Sequence, residues 1–186
     1  MHQGVHLLEK FARDDRVEIP CPDKNLQVKM IKSLRDNNQF VAYVDALGKL
    51  DGKRCVIDWK TTTSRYAEAP EGLLSLDPQL VCYSWISGIS DVAMVVFVRK
   101  SHPEIQYLKA SISDEQRNEY GRTVEAAIRQ IEAAQFPLRS GIRFPQNGCT
   151  SCSHLGLCLD NAELVAANLE RKPGSNGLEW LDDIVD

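Results

Sequence analysis

The hydrophobic positions open on a helical rhythm: Val5, Leu8 and Ala12 fall on one stripe, with Leu7 and Phe11 beside it. No capping residue precedes this helix, so the sequence reads as one that begins mid-domain. The segment Glu18-Ile-Pro-Cys-Pro-Asp23 breaks the pattern, and Leu26, Met30, Ile31 and Leu34 then predict a second short helix over residues 24–35. The period shortens next. Residues 40–45 and 54–60 are β-branched and aromatic runs, and the Asp51-Gly52 pair between them signals a hairpin. A helix is expected over residues 78–86. The continuous apolar run 92–98 suits a strand buried on both faces, and residues 105–112 suit a weaker edge strand. Ser113 with Gln116 has the form of a capping box, after which Tyr120, Val124, Ala127, Ile128 and Ile131 mark a long amphipathic helix bounded by Pro137. A glycine- and proline-bearing loop, a cysteine cluster, a helix near residues 160–170 and an acidic tail complete the chain. There is no internal repeat. The order predicts a mixed α/β domain.

Length fits that reading, since 186 residues ask for one domain with a small appendage. The predicted organisation is a core over residues 1–145, a cysteine-rich segment over 146–170 and an acidic tail over 171–186. With 43% hydrophobic residues the chain is not disordered. It has no run of about 20 apolar residues and no signal-peptide pattern, so a soluble, cytoplasmic protein without membrane contact is expected. The 22 basic and 26 acidic residues give a net charge of −4, which denies the protein a bulk hold on a polyanion; any such contact needs a local patch. Arg99, Lys100, His102, Lys109, Arg139 and Arg143 form at most a modest basic face.

Chemistry concentrates first at the hairpin. Asp58 and Lys60, two apart on one strand, leave the same face while Trp59 points away, and the hairpin folds Asp45 back beside Asp58. A D-x-K on its own is usually a solvated surface pair. Here Val56 and Ile57 make the neighbourhood apolar, and two carboxylates held that close require a cation; hard oxygen ligands suit Mg²⁺ or Mn²⁺. Gln79 and Tyr83, four apart on the following helix, share a face and can bind a phosphate or a base edge. The second concentration is Cys149-x2-Cys152-x5-Cys158, three thiols within ten residues of a loop. A fourth cysteine would complete an iron–sulfur site. His154 would complete a Cys₃His zinc site, though it reads more readily as a loop surface residue. Cys55 and Cys82 sit on apolar, periodic positions and read as core.

Over residues 2–158 these motifs resemble the RecB-like branch of the PD-(D/E)xK nucleases: a histidine-bearing first helix (His2, or His6), the strand aspartate Asp45, the Asp58-Trp59-Lys60 motif and the Gln79-x3-Tyr83 helix. One departure is Ala42, where the family often has glycine. The resemblance implies a restriction-endonuclease-like fold, a mixed central sheet flanked by helices. It implies that His2, Asp45, Asp58 and the Trp59 carbonyl hold Mg²⁺ or Mn²⁺, that Lys60 positions the attacking water, and that Gln79 and Tyr83 contact the DNA strand. The cysteine spacing is similar to that of the iron–sulfur nucleases of the family, including the CRISPR-adaptation and AddB nuclease domains. That implies a [4Fe–4S] cluster, with Zn²⁺ as the alternative, on Cys149, Cys152, Cys158 and a fourth ligand that is either Cys21 or a residue upstream of Met1. The implied activity is hydrolysis of DNA, as an exonuclease on single strands or ends, within a repair or CRISPR-adaptation complex. Two other readings compete. One is a catalytically inactive nucleic-acid-binding or assembly module stapled by its metal site. The other is a zinc-knuckle protein with an incidental D-x-K.

Overall fold

The computed structural model describes residues 2–67, 72–100, 102–135 and 152–169, without the side chains of His2, Gln3 and Asp36. The chain divides into two compact units, Met1–Ala133 and Ala134–Asp186. In the first, the elements run α1 (His2–Ala12), β1 (Val17–Glu18), α2 (Pro22–Asn25), β2 (Leu26–Ser33), β3 (Gln39–Leu50), β4 (Lys53–Thr62), α3 (Pro78–Ser87), β5 (Asp91–Val98), β6 (Glu104–Ser111) and α4 (Asp114–Glu132). The second contains α5 (Leu155–Cys158) and α6 (Ala162–Asn168), the latter capped by Asn161, whose side chain accepts from the Leu164 amide at 3.0 Å.

Six strands form one mixed sheet in the order β1-β3-β4-β5-β6, with β2 also on β3. Ala46 pairs with Leu26 on one side and Ile57 on the other, and Leu50 pairs with Val17 and Lys53, so β1 and β2 lie end to end along the edge of β3 away from β4. The β3–β4 hairpin closes at Asp51 (φ 50°) and Gly52 (φ 77°), the left-handed pair that a tight two-residue turn demands. β4 and β5 run parallel and are joined through α3; every other pairing is antiparallel. The expected mixed α/β architecture with a central sheet between helices is the one found. Among the described residues no helix is long and apolar enough to cross a membrane.

Two cores occupy the two faces. Val44, Val56, Leu80, Val92, Met94 and Val96 cluster beneath α3. Ile57, Ala93 and Val95 cluster on the other side with Phe11 of α1, Trp59 and Phe97. β5 contributes to both, as its unbroken apolar run predicts. β3 does something less expected. Its even positions stay inside along the strand, yet Val44 belongs to the α3-side core and Ala46 and Leu50 to the other. The strand therefore coils from one core to the other around Asp45. α4 rests on α3 through the Phe40, Trp85 and Tyr120 rings (Phe40–Trp85 5.1 Å, Trp85–Tyr120 5.4 Å), and its Ser113–Gln116 capping box is present in both directions.

The helix expected over residues 24–35 is a correction. That segment is the strand β2, preceded by the single-turn α2. Its half-buried positions are Val28, Met30 and Lys32, a period of two, and pairing along β3 outweighs the coincidental helical spacing of Met30, Ile31 and Leu34. In α1 the buried stripe is Leu7 with half-buried Phe11, while Val5 and Leu8 are exposed. Cys149, Pro137, Arg139, Arg143 and the tail over residues 171–186 lie outside the described residues.

Candidate active site

The β3–β4 ladder ends at the Ala46/Ile57 pair. One residue further, the Asp45 side chain replaces the backbone acceptor: the Trp59 amide donates to Asp45 Oδ2 at 3.1 Å. Coiling of β3 thus parts the two strands, and their first residues past the split, Asp45 and Asp58, face the gap. Trp59 sends its ring to the opposite side, where Phe11 meets it edge-on at 5.5 Å.

Asp58 is fully buried. Lys60 Nζ donates to its Oδ1 at 3.1 Å. The same ammonium lies 2.8 Å from Oδ2, so it ion-pairs with both carboxylate oxygens, although only the Oδ1 contact has hydrogen-bond geometry. Burial pushes the Asp58 pKa up; its bond to Lys60 opposes the shift, and the charges of Asp45 and Asp77 add to it. Lys60 shows the converse. Desolvation pulls its pKa down, yet the hydrogen bond and charge of Asp58, with the charge of Asp45, outweigh that and leave it raised. The amine stays an ammonium.

α3 supplies the opposite wall. Asp77 caps it, accepting from the Gln79 amide at 2.9 Å and the Leu80 amide at 3.1 Å, and Pro78 occupies the first turn. This fixes Gln79 over the sheet. Lys60 Nζ donates to Gln79 Oε1 at 2.8 Å, and Gln79 Nε2 donates to the buried Tyr83 hydroxyl at 2.8 Å. Burial raises the Tyr83 pKa, so the hydroxyl stays protonated at neutral pH. A continuous line of contacts therefore runs Asp58–Lys60–Gln79–Tyr83. Beside it, a cavity of about 700 Å³ is lined by Asp77, Met94, Leu108 and Tyr66, and Met94 is the register neighbour of Asp58.

Asp45, Asp58, Lys60, Gln79 and Tyr83 are thus brought together. His2 opens α1, and its side chain lies outside the described residues; His6 is exposed, 3.7 Å from Glu9. Among the described residues no three His, Cys, Asp or Glu side chains converge. Cys21 is exposed in the first unit, Cys152 and Cys158 are exposed in the second. Cys55 is buried and Cys82 packs against the α3-side core, as expected; burial pushes the Cys55 thiol up to about 11. Of the candidate basic face, Lys100 pairs with Glu104 and Lys109 with Asp51. The D-x-K and Gln-x3-Tyr motifs do not point to Asp77, although Asp-Pro ahead of a helical pattern is a recognisable start signal.

No curated protein matches the sequence. Among solved structures, the chain resembles SSO0001 at 18% identity over 89% of this chain and 69% of that one, with a TM-score of 0.43. It also resembles a candidate exonuclease from Eubacterium rectale at 16% identity, over 98% of this chain and 64% of that one, with a TM-score of 0.48. The chain therefore spans under two thirds of the length of that second protein. The family model of the PD-(D/E)XK nuclease superfamily, whose members generally use Mg²⁺ or Mn²⁺ on nucleic acid, matches residues 5–159. Since that span takes in both strands of the split, the D-x-K motif and the α3 wall, the chain belongs to the PD-(D/E)XK nuclease superfamily.

Proposed function

We propose that this chain is a metal-dependent deoxyribonuclease that hydrolyses phosphodiesters, acting as an exonuclease on single-stranded DNA or DNA ends. The observation that carries the catalytic reading is the fully buried Asp58 carboxylate, whose ionised form burial disfavours, paired with Lys60 and set beside a second carboxylate, Asp45, at a strand split. Two carboxylates that close carry more negative charge than one ammonium offsets, and two hard oxygen donors fit Mg²⁺ or Mn²⁺. Asp45 and Asp58 would hold that ion, joined by the Trp59 carbonyl and His2. Bound there, it would supply a nucleophile at neutral pH and neutralise charge on the scissile phosphate.

The protein's own groups do the rest. Lys60, kept as an ammonium by Asp58, donates a hydrogen bond to the attacking water or a phosphate oxygen and does not serve as a base. Gln79 anchors Lys60 from above and, with the Tyr83 hydroxyl, presents donors to the DNA strand. The preference for single strands or ends and a place in a repair or CRISPR-adaptation complex rest on the sequence resemblance.

A cleavage assay on end-labelled single- and double-stranded DNA with Mn²⁺ tests the reading. Wild type should cut; Asp58→Ala and Lys60→Ala should lose at least about a hundredfold, the scale of removing one transition-state donor. Unchanged cleavage in both variants would sink the assignment, and an inactive wild type that binds DNA tightly would favour the assembly module. The cysteines enter as a separate structural centre, a [4Fe–4S] cluster on Cys149, Cys152 and Cys158 with a fourth ligand for which Cys21 is one candidate, and with Zn²⁺ the alternative. Support comes from the spacing and from the exposure of Cys21, Cys152 and Cys158, which packing does not use. Iron and zinc content with a visible spectrum decides it: a brown protein with iron supports the cluster, and a colourless one with neither metal rejects both.

A further inference from the structure

The odd positions of β3 carry a second message. Alternation puts Val41 and Tyr43 on the outer side of β3, up to the point where the strand coils at Asp45. Tyr43 is 56% exposed and Val41 41%. Directly across the ladder, Ile31 faces Val41 and is 54% exposed, while the exposed Lys29 faces Tyr43. Among the described residues Lys29 has no carboxylate partner. An aromatic ring, a lysine and two aliphatic side chains therefore form a solvent-facing strip that ends two residues before the carboxylate Asp45. Single exposed apolar residues need no explanation, but an aligned strip beside a site does.

We infer that this strip is a track for a single nucleic-acid strand, with Tyr43 as a base-stacking residue and Lys29 as its phosphate contact. Two residues of strand cover about 7 Å, the rise of about two stacked nucleotides at about 3.4 Å each, so a strand whose scissile phosphate lies at Asp45 has a base within reach of Tyr43. Every base has a π-face, so a lone tyrosine binds without reading sequence, and an unpaired strand exposes those faces whereas a duplex hides them. Lys29 supplies the local positive charge that a chain of net charge −4 needs against a polyanion. Val41 and Ile31 extend the platform for the next base or sugar. The inference relies on the nuclease reading for the position of the substrate and adds to it the reason for preferring single strands.

Binding without divalent cation separates the two ideas. A labelled oligothymidylate is compared with an abasic strand of the same length, which keeps the phosphates and lacks the bases. Wild type should bind the oligothymidylate about tenfold more tightly. Tyr43→Ala should lose most of that difference and Tyr43→Phe should keep it, a rescue that a merely structural role for the ring position would not show as base dependence. Lys29→Ala should leave the base dependence intact and lower the slope of log affinity against log salt by about 0.7. Wild type that does not distinguish the two strands, or Tyr43→Ala that distinguishes them as well as wild type, overturns the track, whatever the cleavage assay shows. Base-dependent binding through Tyr43 in a protein that cuts no DNA would leave the track standing and remove the nuclease reading.

Discussion

The residue that the fold treats worst is Asp58. It has no exposed surface, and burial together with the Asp45 and Asp77 charges works against its ionised form. Sites that must meet a cation are built this way, and stability and activity then pull in opposite directions. Asp58→Asn, which keeps the shape and removes the charge, should raise the stability of the metal-free protein by about 1 kcal/mol, a few degrees in Tm, while cleavage disappears. Thermal unfolding in EDTA beside the DNA assay measures both; a lowered Tm would mean that the Lys60 pairing outweighs desolvation. Gly48 is a second position where one atom decides. A Cβ there would stand 2.5 Å from the Glu18 carbonyl oxygen and 2.6 Å from Ile19 Cδ1, so Gly48→Ala should cost about 1–3 kcal/mol by urea unfolding as β1 is pushed off β3. At this scale the sequence was generous. Asp58 with Lys60, and Gln79 with Tyr83, were legible because spacings of two on a strand and four on a helix fix a shared face before any fold is known. The full burial of Asp58 was not, because it depends on the elements that pack over it.

Among the elements, α3 is the one that turns a hairpin into a site. Its start is set by Asp77, whose carboxylate takes two amides of the first turn and thereby places Gln79 against Lys60. Asp77→Ala should cost about 1 kcal/mol of stability, the usual worth of a cap, yet lower cleavage well beyond that share because Gln79 loses its register. Asp77→Asn, which still caps, should restore both. Cleavage that falls equally in Asp77→Asn would point instead to the Asp77 charge, which Asp58 senses. Where elements were misread the cause is also physical. β2 carries apolar residues at both period two and period 3.6, and only the long β3 strand lying alongside decides between them. The coil of β3 from one core to the other has no local signature either; it follows from the sheet wrapping α3 on one face and α1 on the other.

Across the first unit as a whole, one carboxylate ties together parts far apart in sequence. Asp51, at the tip of the β3–β4 hairpin, accepts from Arg16 Nε at 2.7 Å and Nη2 at 3.1 Å and also pairs with Lys109 of β6. Arg16 in turn lies over the Tyr107 ring, 4.2 Å from its centre, and the Tyr107 hydroxyl donates to Asp14 at 2.6 Å. The Arg16 hydrogen bond first, and then that of Lys109, hold the Asp51 carboxyl well below the usual carboxylate range. A carboxylate whose folded pKa is depressed stabilises the fold above its unfolded value of about 4, and that contribution drains away as the pH falls from about 4 toward the folded value. Asp51→Asn keeps the left-handed turn residue, since asparagine also accepts positive φ, and removes only the charge. The variant should therefore be less stable than wild type at pH 7, with the gap narrowing below pH about 4 and shrinking in high salt, where exposed charges are screened. Urea midpoints across that range check it. A gap that stays constant with pH would show that the turn, and not the Arg16–Asp51–Lys109 junction, is what the substitution disturbs.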